Sequence, residues 1–99
     1  MTKAIRIHET GGPDVLKWED VDVPAPGAGE ALVRQTAAGL NFIDTYQRSG
    51  LYPIALPAIM GNEGAGVVED VGDGVTEVKP GDRVAYHSAP GAYAEQRIV

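Results

Sequence analysis

The stretch from residue 60 to residue 84, MGNEGAGVVEDVGDGVTEVKPGDRV, constrains the fold more than any other part of the chain. It carries six glycines around two short valine-rich segments. Because glycine lacks a Cβ atom, Gly61, Gly64 and Gly66 predict a bend or a close backbone approach at the entry to a strand. The pattern predicts that this strand ends at the Gly-Asp-Gly turn and that a second strand follows at residues 83–86.

The turn before that second strand has its own signature. Pro80 presets φ, Gly81 takes the unusual dihedral angle, and Asp82 can bond back to the backbone. This combination predicts a tight turn at residues 79–82.

Alternating polar and apolar residues predict further strands, over residues 3–8, 15–23, 30–38 and 92–99. In the first of them we expect Ile5 and Ile7 to share the buried face. In the second, Trp18 is predicted to belong to the core. The alternation there shifts phase between Asp20 and Val21, where a β-bulge would restore the inward face.

One short helix interrupts the strands. Residues 41–48 predict about two helical turns, and Gly50 is placed to stop them. Asn41 and Asp44 have the spacing of a capping box, in which the two side chains bond the backbone of the first turn. The segment 51–58 is apolar and contains two prolines, so it predicts a loop that covers another surface.

Composition favours one small, mainly β domain. The chain has 99 residues, of which 43% are apolar, 13 are glycine and 7 are proline. Short β-branched segments among so many turn residues favour a barrel or a sandwich.

Charge and composition exclude several partners. The formal net charge of −6 leaves no basic surface to neutralise phosphates, which argues against nucleic-acid binding. No apolar run approaches the ~20 residues of a membrane span, and the N-terminal sequence lacks a signal-peptide core. The chain has no cysteine, as suits a reducing compartment. We therefore expect a cytoplasmic protein that binds neither nucleic acid nor membrane.

Two landmarks resemble the medium-chain dehydrogenase/reductase superfamily. Residues 61–75 are similar to its G-H-E-x2-G-x5-G-x2-V signature, with Asn62 in place of the histidine. The KPGDRV turn at residues 79–84 is similar to its next landmark. Three further motifs, GGPDVL, NFIDTYQRSGLYP and GAYAE, resemble the zinc-free quinone oxidoreductase branch, so the resemblance spans essentially the whole chain.

This resemblance implies a GroES-like catalytic domain over residues 1–99, folded as a distorted antiparallel barrel with one or two short helices. It also implies a separate nucleotide-binding domain, since no G-x-G-x-x-G run opens a βαβ unit in this sequence. The implied activity is hydride transfer from NADPH, bound mainly by that other domain, to a quinone or a conjugated carbonyl. The parent enzyme is expected to be a homodimer, and the 99 residues alone are expected to be inactive.

The resemblance also implies a site on the short helix and the segment after it. Tyr46 and Tyr52 are implied to act on the acceptor as catalytic residues. The cofactor contacts it implies are Asn41, Phe42, Asp44 and Tyr46. The residues themselves leave other interpretations open: rim packing for the tyrosines, helix capping for Asn41 and Asp44, and a core position for Phe42.

The same resemblance places the zinc ligands of related alcohol dehydrogenases at Asn41 and Asn62, and a proton-relay hydroxyl at Ile43. Neutral amides are poor zinc ligands compared with thiolate or imidazole, so we expect no metal. Without a metal, Glu63 would have no role at a metal site, and we expect it to be partly buried and bonded to the backbone or to an arginine.

Four other polar residues are left outside the site: His8 and His87 as surface or packing residues, and Tyr86 and Tyr93 as barrel packing. Two other functions stay open, an enoyl or alkenal reductase of the same superfamily and a GroES-like domain that only binds. Since the family pattern implies that further segments complete the barrel, we also expect the 99 residues alone to expose a strand edge. They should then either self-associate or rearrange their terminal strand.

Overall fold

The computed structural model describes residues 2–99, which form two antiparallel sheets and one α-helix. In chain order the elements are β1 (Thr2–Ile7), β2 (Lys17–Val21), β3 (Ala31–Gly39), α1 (Phe42–Ser49), β4 (Ala58–Ile59), β5 (Glu63–Val71), β6 (Arg83–Tyr86) and β7 (Gln96–Ile98). A 3₁₀ turn at Pro13–Val15 precedes β2. The strand orders are β2-β1-β4 and β6-β5-β3-β7. The predicted mainly β class with one or two short helices is confirmed.

Residues 92–95 join the two sheets. The N–H of Ile5 on β1 donates to the carbonyl oxygen of Tyr93 at 2.8 Å, and the N–H of Gln35 on β3 donates to that of Glu95 at 2.8 Å. The predicted strand over the last eight residues is therefore wrong in its length. Its first half pairs with β1 in one sheet and its second half, which contains β7, pairs with β3 in the other, because the chain changes neighbours there.

The core prediction for Trp18 is wrong, because 60% of its side chain is exposed. The bulge predicted in β2 is also wrong. Strands β1 and β2 pair in one register, from Thr2 opposite Val21 to Arg6 opposite Lys17. Since Trp18 is not on the buried side, Val21 reaches that side by ordinary alternation and needs no phase shift.

The burial of β1 differs from its predicted pattern. Ala4 and Ile7 are completely buried, whereas Ile5 is only partly buried. Every residue of β1 is at least partly buried, so residues of both parities are covered and the strand does not have one fully exposed face.

One cluster of the hydrophobic core lies on the second sheet. Its buried residues are Ala31, Val33 and Val68, with Val71, Val78 and Val84 packed against them. The other buried apolar residues, among them Ile7 and Met60, lie outside this cluster. The register of β3 against β5 shifts between Leu32 and Val33 and again between Gln35 and Ala37. The irregular pairing therefore occurs in the central strands of this sheet, where such shifts bend the strand and increase its twist.

The glycines at the entry to β5 behave as predicted. Gly61 has φ +94°, and a Cβ atom there would lie 2.9 Å from the backbone nitrogen of Tyr93. On Gly66 a Cβ atom would lie 2.8 Å from the Cα atom of Gln35 on the paired strand. Both positions therefore require glycine, one for its dihedral angle and both for space.

The predicted turn at residues 79–82 is confirmed and leads directly into β6. The N–H of Lys79 donates to Oδ2 of Asp82 at 3.0 Å, and the N–H of Asp82 donates to the carbonyl oxygen of Lys79 at 3.1 Å. The backbone N–H and then the ammonium group of Lys79 hold the pKa of Asp82 below its ordinary value of 3.8.

We expect Asp82→Asn to lower the free energy of unfolding at neutral pH, and this difference to shrink on acidification. A carboxyl group with a lowered pKa in the folded state stabilises the fold above its unfolded pKa. This stabilisation disappears as the pH falls through the lower folded value. Urea unfolding at about pH 7 and about pH 3 measures the change. Asp73→Asn, in an exposed neighbouring turn, is the control; equal pH dependence in both variants would contradict the expectation.

Candidate active site

Helix α1 begins and ends where its sequence predicts. Asn41 is the N-cap residue, and Gly50 ends the helix in the left-handed conformation at φ +92°. The N–H of Asn41 donates to Oδ2 of Asp44 at 3.1 Å, as in a capping box. The predicted helix and its capping box are confirmed.

Asp44 is buried, with 6% of its surface exposed. Besides the N–H of Asn41, its carboxylate accepts hydrogen bonds from Nδ2 of Asn62, at 2.7 Å, and from the Tyr93 hydroxyl. The Asn62 amide also donates to Oε1 of Gln47 at 3.0 Å. A buried carboxylate is tolerated when such donors replace water. The bonds tie the start of α1 to the segment before β5 and to the residues that join the sheets.

Tyr93 is a functional candidate that sequence reasoning missed. Burial, and then the hydrogen bond to the Asp44 carboxylate, raise the pKa of its phenol above the ordinary value of 10. The hydroxyl therefore stays protonated at neutral pH and donates. Strand alternation assigned Tyr93 to packing, and the only signal for another role is its place in the GAYAE motif.

Asn41 also connects the helix to β5. Its side-chain Nδ2 donates to Oε1 of Glu63 at 3.0 Å. Contrary to expectation, Glu63 is exposed and is held by this amide rather than by the backbone or an arginine. Gly39 leaves the necessary space, because a Cβ atom there would lie 2.7 Å from Oε2 of Glu63.

Two clefts flank the start of α1. One, of about 390 Å³, is mainly apolar, with Leu16, Leu40, Phe42 and Met60 among its walls; its polar lining residues are Asn41, Asp44, Thr45, Arg48 and Tyr93. The other, of about 320 Å³, is lined by Asn41, Ile43, Asn62, Glu63, His87, Ser88 and Pro90. Asn41 lines both clefts. Apolar walls with a few convergent polar groups are typical of small-molecule sites.

The structure divides the predicted site residues into two groups. Asn41 and Asp44 lie together at the helix start, whereas Tyr46 and Tyr52 form a separate edge-to-face pair with ring centroids 5.2 Å apart. Neither tyrosine lines either cleft. Phe42 is 82% exposed, which excludes the core position left open for it.

The model of the alcohol dehydrogenase GroES-like domain family matches residues 27–98. The chain belongs to this family. The GroES-like domain is 54% identical over 101 residues to a quinone oxidoreductase of Pseudomonas aeruginosa, an alignment that covers 100% of the chain and 31% of the relative. It is 46% identical over 103 residues to a 2-haloacrylate reductase of a Burkholderia species, covering 99% of the chain and 31% of the relative.

The GroES-like domain also matches a solved structure, that of Escherichia coli quinone oxidoreductase complexed with NADPH. The TM-score is 0.94 at 46% identity, over 100% of this chain and 31% of the other. The predicted GroES-like fold and the resemblance to quinone oxidoreductases are confirmed. In each of these comparisons the chain spans 31% of the length of the relative. Across residues 2–99, no helix is long and apolar enough to cross a membrane.

The two positions that resemblance equates with zinc ligands in related dehydrogenases have other bonds in this GroES-like domain. Asn41 donates to Glu63, and Asn62 donates to Asp44 and Gln47. In the described part of the chain, no group of three or more histidine, cysteine or acidic side chains is arranged to hold a metal ion. That the protein works without zinc stays a prediction.

Proposed function

We propose that this GroES-like domain is the catalytic domain of an NADPH-dependent quinone reductase. A nucleotide-binding domain in the same protein would complete the enzyme. The whole protein is proposed to act as a homodimer in the cytoplasm. The observation that carries the proposal is the similarity over the whole chain to quinone oxidoreductases, one of them solved with NADPH.

The residues at the start of α1 fit a nicotinamide cofactor. Asn41 presents an amide between the two clefts, and the exposed ring of Phe42 offers an apolar face to a planar ring. Tyr46 is proposed to contact the cofactor from the outer side of the helix, and buried Asp44 to act through its neighbours. NADPH would supply the hydride, while this domain orients the acceptor and excludes water.

The proposed acceptor is a quinone or a conjugated carbonyl in the apolar cleft. The mainly apolar walls of that cleft suit the apolar body of such a ligand. Tyr46 and Tyr52 are proposed to act through their hydroxyl groups on the part of the acceptor that extends outside this cleft, since neither side chain lines it.

A second candidate is the reduction of an activated carbon–carbon double bond, as in an enoyl or alkenal reductase. It is favoured by the 46% identity to 2-haloacrylate reductase. The two activities require the same cofactor and differ in the acceptor, so one assay separates them.

The decisive measurement is the loss of NADPH absorbance in the full-length protein that contains this sequence. The acceptors are 1,4-benzoquinone, a simple enone and 2-chloroacrylate, each assayed separately. We expect the quinone to give the highest kcat/KM. NADPH consumption with only the enone or the acrylate would favour the second candidate function instead. Consumption with none of them would leave a domain that only binds.

In that protein, Tyr46→Phe and Tyr52→Phe are expected to lower quinone turnover by about tenfold, because each removes a hydroxyl group proposed to act on the acceptor. The free energy of unfolding should fall by less than about 1 kcal/mol, since both side chains are exposed. Steady-state kinetics and urea unfolding measure the two effects. Tyr86→Phe, which removes a phenol bonded to Gln35, is the control. Unchanged turnover in both variants would mean that the tyrosine pair only packs and has no catalytic role.

A further inference from the structure

The Asp44 carboxylate, which is buried behind Asn41, accepts more hydrogen bonds than helix capping requires. A capping box needs only the Asn41 and Asp44 side chains and the backbone of the first turn. Here the Asp44 carboxylate also accepts from Asn62, 18 residues away, and from Tyr93, 49 residues away. Asp44 and Asn62 are both more than nine-tenths buried. The extra bonds therefore connect three separate parts of the chain at one carboxylate.

We propose that Asp44, Asn62 and Tyr93 are positioning residues that hold the start of α1 in the geometry that NADPH binding requires. This inference rests on the proposed function and deepens it. The three side chains act through Asn41. Its backbone N–H donates to Asp44, and its side-chain amide donates to Glu63, which lines the cleft of about 320 Å³.

The position of Tyr93 is fixed from its backbone outward. Its N–H donates to the carbonyl oxygen of Met60 at 2.8 Å. Its ring lies so close to Gly61 that a Cβ atom there would be 2.8 Å from the ring carbon Cε1. The phenol is therefore held in place and keeps its proton near a carboxylate, so it is a reliable donor rather than a group that moves with ligand binding.

The position of Asn62 is fixed in the same way. Its carbonyl oxygen accepts from the N–H of Ala89 at 3.1 Å, and its side-chain amide divides its two donors between Asp44 and Gln47 on successive turns of α1. One amide thus sets both the rotation of the helix and its distance from β5. Because Asn41 caps this helix and Tyr46 lies on it, a small rotation would move both proposed cofactor contacts together.

Removal of one donor leaves the carboxylate partly satisfied. In Tyr93→Phe, Asp44 keeps its bonds to Asn41 and Asn62, so the protein is expected to fold with a less constrained helix start. The matched control is Tyr86→Phe, which removes a phenol bonded to Gln35 on β3 rather than to α1. Both variants delete a partly buried phenol hydroxyl, from a carboxylate in one case and from a neutral amide in the other, so the control shows the general effect of losing such a hydroxyl.

The experiment uses the full-length protein and compares steady-state kinetics of NADPH oxidation by 1,4-benzoquinone with hydrogen–deuterium exchange. For Tyr93→Phe we expect KM for NADPH to rise by about tenfold, the equivalent of one charge-assisted hydrogen bond, with kcat changed by less than about twofold. Exchange of the backbone amides in α1 should become faster, while exchange in β3 and β5 stays the same. Tyr86→Phe should leave KM and the exchange of α1 unchanged.

An unchanged KM together with unchanged exchange in α1 would overturn the proposal and make Tyr93 a packing residue. If the unchanged protein oxidises no NADPH with any acceptor, the proposed function fails, and the exchange data still decide whether these residues hold α1. Asn62→Leu is the second variant if Tyr93→Phe does not fold, with the same expected result. If neither variant folds, the residues are structural and the proposal is overturned.

Discussion

Gly66→Ala is expected to lower the free energy of unfolding by about 3 kcal/mol, the upper end of the cost of overpacking. The new Cβ atom would overlap the carbonyl oxygen of Arg34 and lie 2.8 Å from both the Cα atom of Gln35 and Cγ1 of Val33. Backbone atoms of β3 cannot move aside, because this strand is paired with β5 on one edge and with β7 on the other. Urea unfolding monitored by circular dichroism measures the loss.

The control for that substitution is Gly12→Ala. A Cβ atom on Gly12 would have no heavy atom within 4 Å outside its immediate chain neighbours, and its φ of −78° is accessible to alanine. Its free energy of unfolding should therefore be unchanged or slightly higher, since alanine restricts the unfolded chain. Equal losses in the two variants would mean that the steric interpretation of Gly66 is wrong.

The 99 residues alone are expected to neither turn over NADPH nor bind it with micromolar affinity. A pyrophosphate is normally bound by a glycine-rich loop at a helix N-terminus, and this sequence contains no G-x-G-x-x-G run. Its formal net charge of −6 disfavours a polyanionic ligand as well. Calorimetric titration of the isolated chain, with the full-length protein as the control, tests this directly. Micromolar binding to the isolated chain would contradict the assignment of the phosphates to another domain.

The isolated chain is also expected to self-associate. Strands β2 and β4 bound the first sheet and β6 and β7 bound the second, so four strand edges are available for pairing. Leu40 and Phe42 add exposed apolar surface beside the helix. Sedimentation velocity over a concentration series should show a rising mean mass, and a strictly monomeric species at high concentration would refute this expectation.

Local signals in the sequence were sufficient for the central strands and the helix. The turn at residues 79–82 and the strand Arg83–Tyr86 lie where the Pro-Gly-Asp pattern predicts them, and Gly50 ends α1 as expected. These features depend on dihedral preferences and on hydrogen bonds between residues three or four apart, which a short window of sequence contains.

Alternation was insufficient to show which face of a strand is covered, and by which neighbour. Trp18 was assigned to the core because large aromatic residues are usually buried, yet it lies on the face of β2 that is exposed. The last eight residues looked like one strand, but they pair first with β1 and then with β3. Both errors arise because periodicity indicates which residues share a face and not what lies against that face.

The candidate site shows the same division. By itself the sequence determined the GroES-like family, the glycine positions of β5 and the capping of α1 by Asn41 and Asp44, since each depends on residues close together in the chain. Only the tertiary structure brought Asn62 and Tyr93 to the Asp44 carboxylate, from 18 and 49 residues away. A buried carboxylate needs donors, but the identity of those donors depends on which segments the fold places around it.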